Sequence, residues 1–131
     1  MAKKPKAKKT PCEEGGDELL PWSISVATTS AVDVVVRVCF ANARVRIWLQ
    51  SDPFGQALLL ADETAKSEVP VRLPALTVGR YQLFWSIQTP AEKWQTRTDV
   101  LVDTVTRFRR RKSSDGNNPV NMGTVSLTVQ A

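Results

Sequence analysis

Val32-Asp33-Val34-Val35-Val36-Arg37-Val38-Cys39-Phe40 places an apolar side chain at every even position from 32 to 40, with Asp33 and Arg37 between them. Five β-branched or aromatic residues at alternate positions fit one face of a pleated strand and crowd a helix. The same period of two recurs on both sides of this stretch. Trp22, Ile24 and Val26 precede it, and Val45, Ile47 and Leu49 follow it. Further on come Val69, Val71 and Leu73, then Tyr81, Leu83, Trp85 and Ile87, and finally Val125, Leu127 and Val129. Trp94 to Val102 reads as another strand. A bend at Asp103-Thr104 then divides it from a strand that ends near Arg111. Gln56 to Ala61 is a short apolar piece that suits a strand, with a short helix through Thr64 as the other reading. Pro70 cannot donate to a ladder and assigns its strand to a sheet edge.

Eight or nine short strands, with turn signals about every ten residues and no convincing helix, predict an all-β fold. The expected architecture is a single antiparallel β-sandwich of about eight strands, with a closed barrel as the alternative. Residues 1–20 are rich in Lys, Pro, Gly and Glu and predict a disordered tail; residues 21–131 form the sandwich domain. Trp22 and Trp85 fall on inward-facing positions and read as core.

Leu76-Thr77-Val78-Gly79-Arg80-Tyr81-Gln82-Leu83 has the pattern L-x-x-G-x-Y-x-L. It is similar to the entry into the penultimate strand of bacterial immunoglobulin-like and fibronectin-type modules. The resemblance implies a Greek-key sandwich and a hydrogen bond from the Tyr81 hydroxyl to nearby backbone. It also implies a role in adhesion, spacing or assembly. Leu83 stands where antibody domains carry their second cysteine.

Composition narrows the chemistry. The 131 residues fit one domain, and 42% of them are apolar. The chain contains no histidine, which excludes Ser-His-Asp and Cys-His sites and most zinc sites. No Gly-rich phosphate loop or calcium-loop pattern appears, so neither a cofactor nor a metal is expected. Asp62-Glu63 and the Asp99/Asp103 pair read as solvated carboxylates, and the chain is read as not an enzyme. Cys12 and Cys39 have no metal-type spacing and no evident reason to pair: a buried Cys39 and an exposed, incidental Cys12 are expected. The start lacks the apolar stretch of a secretory signal. This makes the cytoplasm, or a particle assembled there, the default location, with export by a route needing no such signal left open. No run is long enough for a membrane-spanning helix.

The net charge is +5. Lys3, Lys4, Lys6, Lys8 and Lys9 form one basic group, followed by Glu13, Glu14, Asp17 and Glu18. Arg107, Arg109, Arg110, Arg111 and Lys112 form the other. Together they are the candidate polyanion site, with nucleic acid as the partner. Arg44, Arg46 and Trp48 lie on the face opposite Val45, Ile47 and Leu49. Phe84 lies opposite the Leu83/Trp85 face. If the two strands are neighbours, these four residues make one amphipathic patch of the composition found at interface centres. The expected function is a structural or protein-interaction module, in contact with another protein or with its own copies, and a subunit of a larger assembly. Polyanion binding is the alternative. A glycan-binding module that stacks sugars on Trp48, Phe84 or Trp94 is the third reading.

Overall fold

The structure is a computed structural model and describes residues 10–51, 55–90, 92–113 and 120–131. Its elements are nine strands: β1 (Ser23–Ala27), β2 (Val32–Cys39), β3 (Ala43–Ser51), β4 (Ala57–Ala65), β5 (Glu68–Arg72), β6 (Gly79–Gln88), β7 (Gln95–Val102), β8 (Val105–Ser113) and β9 (Val120–Gln130). No helix occurs among the described residues. The segment from Gln56 is strand β4, so the helical alternative for it is not realised.

The strands form two sheets, β1-β9-β6-β3-β4 and β5-β2-β7-β8. Their apolar faces share one core, the layer arrangement of a β-sandwich. One pairing departs from the expected all-antiparallel sheets: β1 runs parallel to β9, with Ser23 opposite Ser126 and Ala27 opposite Gln130. The chain leaves β1 for β2 in the other sheet, so no hairpin dictates the direction of β1.

The alternation that predicts the strands also fills the core. Val32, Val34, Val36 and Val38 are buried on β2, Val45, Ile47 and Leu49 on β3, and Leu83, Trp85 and Ile87 on β6. Each such side chain contributes about 1.5–3 kcal/mol when fully buried. Trp85 meets Phe108 of β8 edge-on, with ring centroids 5.5 Å apart, and so ties the two sheets together. Opposite Trp85 in β9 stands Gly123, where a Cβ would lie 2.5 Å from the indole. Pro70 sits on edge strand β5, opposite Val35.

Trp22 corrects the sequence reading. It shares the parity of Ile24 and Val26, yet 92% of it is exposed, because pairing with β9 begins only at Ser23 and the chain before it turns away from the core.

Candidate interaction surface

The outer face of the five-stranded sheet brings together the four residues assigned to an interaction patch. β3 and β6 are neighbours, with Trp48 opposite Phe84. The two rings stack at 5.2 Å between centroids with 15° between planes. The Arg46 guanidinium lies 5.5 Å from the Trp48 ring centroid, within cation–π range. Arg44 makes a bidentate pair with Asp62 of β4, at 2.9 Å for both bonds. The hydrogen bond to Arg44, reinforced by the charges of Arg44 and Arg46, holds the Asp62 carboxyl below the ordinary carboxylate range. Asp62, read from the sequence as a solvated carboxylate, therefore belongs to a strand and a salt bridge.

A bulge between Ile47 and Trp48 extends this face. Ile47 pairs with Ala61 and Trp48 with Leu59, which leaves Leu60 as the extra residue. Leu60 packs against the core. Leu59 stands beside Trp48 on the outside, and both Leu58 and Leu59 are exposed. At the other edge, exposed Leu20 and Trp22 border a shallow cleft floored by Gln82, Thr124 and Ser126. Met122, also exposed, lies opposite Ser86. One sheet face thus carries aromatic and aliphatic groups from edge to edge, set among arginine and short polar side chains. Trp94, the third candidate for sugar stacking, is buried and offers no open ring face.

The outer face of the other sheet is covered over β7 and β8. Residues 10–18 cross it as a strap and Leu19 forms a one-residue antiparallel bridge to Arg109, so this part of the expected tail has defined contacts. Cys12 and Cys39 form a disulfide, with Cα atoms 6.3 Å apart, which corrects the reading of two unrelated cysteines. Cys39 ends β2 beside Gln95 of β7. Thr10 and Glu13 both hydrogen-bond the Gln95 side chain, and these contacts carry Cys12 over the end of β2.

Strand alternation splits the basic run of β8. Phe108 points into the core, whereas Arg109 and Arg111 lie under the strap. Arg111 donates to the carbonyl oxygens of Cys12 (2.9 Å) and Glu14 (2.8 Å) and also to that of Gly16. Buried Arg97 donates to the Glu14 carbonyl. Asp99 is buried between Arg97 (3.1 Å) and Arg109 (3.0 Å), while Asp103 lies in the following turn, so the two carboxylates do not form a pair. Burial in the first place, and the charges of Arg37, Arg109 and Arg111, lower the pKa of Arg97; Asp99 opposes them. Gly15 rests on the guanidiniums, where a Cβ would be 2.8 Å from Arg97 Nη1 and 3.0 Å from Arg109 Cζ. Arg107 is the extra residue of a second bulge and is exposed, Lys112 is exposed, and Arg110 is half-buried. Lys3, Lys4, Lys6, Lys8 and Lys9 lie outside the described residues.

Sequence reading missed the Gly15-Gly16 pair. Both residues have positive φ, 99° and 88°, and their presence in a supposedly structureless tail was the available signal of a fixed turn. Among the described residues no cluster of potential metal ligands occurs, and no helix is long and apolar enough to cross a membrane. Comparison with protein-family models, curated proteins and solved structures returns no match.

Proposed function

We propose that this chain is a non-catalytic protein-interaction module of the immunoglobulin-like kind, a subunit of a larger assembly that docks through the outer face of its five-stranded sheet. The observation that carries this reading is the Trp48–Phe84 stack with Arg46 against it, on a face whose flanks carry exposed Leu59 and Met122. A folded domain gains nothing by holding such groups against water. A partner that covers them recovers their burial energy, and aromatic and arginine side chains dominate interface energetics.

Two features support the immunoglobulin-like part. The first is the sheet order β1-β9-β6-β3-β4, with β1 parallel to β9. The second is the Tyr81 hydroxyl, which donates to the Thr77 carbonyl at 3.0 Å while the Thr77 hydroxyl lies 3.0 Å away on the same side. A bond from this tyrosine to backbone four residues upstream is what the L-x-x-G-x-Y-x-L resemblance implies.

The cytoplasmic location read from the sequence is harder to pair with a cystine, because lasting disulfides belong to oxidising compartments. We place the chain where its disulfide is either preserved or cycled.

Sedimentation of the full chain, together with capture of partners from its native source, tests the interaction reading. We expect self-association or a stable partner, weakened at least about tenfold in the Trp48→Ser/Phe84→Ser variant, as loss of an interface anchor does. A strictly monomeric chain at high concentration that captures nothing would overturn it.

A further inference from the structure

The strap over Arg97, Arg109 and Arg111 neutralises very little of what it covers. Arg37, Arg97, Arg109 and Arg111 belong to one face of three adjacent strands. The carboxylates paired with them are Asp99 and, on Arg37, Glu68. Two positive charges are left over. The strap answers them with neutral backbone carbonyls from Cys12, Glu14 and Gly16. Two of its own four carboxylates go elsewhere: Glu13 accepts from Gln95, and Glu18 accepts from the Arg111 backbone N–H. Among the described residues no strap carboxylate pairs with these guanidiniums. Arg97 is 94% buried within the sheet and strap, yet its Nε has no hydrogen-bond partner, and Nε of Arg37 is in the same state. Guanidinium groups converging with spare donors and surplus charge suit an oxyanion with several acceptor oxygens. The carbonyls of the strap stand where such oxygens would lie.

What holds the strap is the Cys12–Cys39 bond, the contacts to Gln95, and Gly15 lying flat on the arginines. We propose that residues 10–18 are a disulfide-latched cover over an oxyanion site formed by Arg97, Arg109 and Arg111, and that reduction of the latch opens this site to the phosphates of a nucleic-acid strand. A chain of phosphates fits better than a single small anion, because the three arginines span β7 and β8, strands about 5 Å apart, and Arg37 continues the same face on β2. Exposed Arg107 and Lys112 extend the positive charge along β8.

The reductant is a dithiol. One of its thiolates attacks a sulfur of the cystine, breaks the S–S bond and forms a mixed disulfide. Its second thiolate then displaces the protein sulfur. Two electrons pass to the protein, Cys12 and Cys39 each end as a thiol after taking up a proton, and the dithiol leaves as a cyclic disulfide. The site lies on the opposite sheet from the Trp48 patch and does not rest on the interaction reading.

Fluorescence anisotropy with a labelled single-stranded oligonucleotide, on the full chain with and without excess dithiol, tests the proposal. Thiol content is followed by mass spectrometry and folding by circular dichroism. Reduction is expected to tighten binding about tenfold or more at low salt, the scale of one or two added charge-assisted phosphate contacts. Cys12→Ser is expected to bind as tightly as the reduced chain under both conditions, and Arg109→Gln/Arg111→Gln to lose the gain. Gly15→Ala keeps the cystine but strains the strap, since φ of 99° disfavours a side chain and the added Cβ presses on the guanidiniums, so it is expected to bind more tightly while oxidised. Equal affinity of the folded oxidised and reduced chains would overturn the proposal, as would a gain that survives Arg109→Gln/Arg111→Gln. If reduction unfolds the sandwich, the oxidised Gly15→Ala variant decides: a gain supports the latch, and no gain overturns it.

Discussion

Gly123 shows how one missing side chain can shape a core. Trp85 fills the space where a β9 side chain would otherwise project, at 2.5 Å from an added Cβ. Gly123→Ala must therefore push the indole off Phe108 or distort β9. We expect a loss of about 1–3 kcal/mol, the usual range for overpacking, read from urea denaturation midpoints. Asp62 gives a prediction of a different kind. Its folded-state pKa is depressed, chiefly by the hydrogen bond from Arg44. The Arg44–Asp62 interaction is thus complete above the ordinary carboxyl pKa and disappears as pH falls through the lowered value. A carboxyl NMR titration should place the Asp62 midpoint below that of an unperturbed aspartate, and Arg44→Gln should return it towards the ordinary range. Sequence alone identified Trp48, Phe84, Arg44 and Arg46 as a group, because strand parity fixes which side chains share a face. It misread Asp99 as solvated and missed Gly15. A buried carboxylate between arginines looks like any other polar residue until the strap that buries it is placed.

At the level of elements, the β7–β8 turn carries the clearest strain. Asp103 and Thr104 have φ of 49° and 69°, the left-handed pair required by a two-residue hairpin. Asp103 is compensated, since its N–H donates to the Ala31 carbonyl (2.8 Å) and its Oδ1 accepts from the Ala31 N–H (2.9 Å). Thr104 is β-branched and has no such role. Thr104→Gly should raise stability by about 1 kcal/mol, the left-handed penalty less the added backbone entropy, measured by denaturant unfolding. The bend itself was legible at Asp103-Thr104, as were the edge position of β5 from Pro70 and the alternation of β2, β3 and β6. The parallel seating of β1 was not, since local pattern specifies which face is buried and says nothing about strand direction. Trp22 fails for a related reason: parity assigns a face only within a strand, and pairing begins one residue after it.

Across the whole molecule, the two sheets present faces of unlike chemistry. One carries a half-buried stack of rings flanked by exposed aliphatic groups. The other hides an arginine cluster beneath a strap whose carbonyls supply no charge. The fold class was readable because six segments carry the same alternating pattern. The strap was not, because its composition of Lys, Pro, Gly and Glu is that of a disordered segment, and its order derives from long-range contacts to residues more than 80 positions away. Sequence treats Cys12 and Cys39 as unrelated for the same reason, since only the folded sheet brings Gln95 and Arg111 under the strap.

The covalent link also decides how tension would travel through the domain. Pulled from its two ends, the oxidised chain passes force from Cys12 straight to Cys39 at the end of β2, and β1 bears no load. Once the link is cut, force enters at β1 and leaves from β9. These are parallel neighbours, so their hydrogen bonds are sheared together and cannot unzip one at a time. A single cystine thus switches the domain between two mechanical circuits, one that bypasses β1 and β2 and enters at β3, and the other along the seam between its first and last strands.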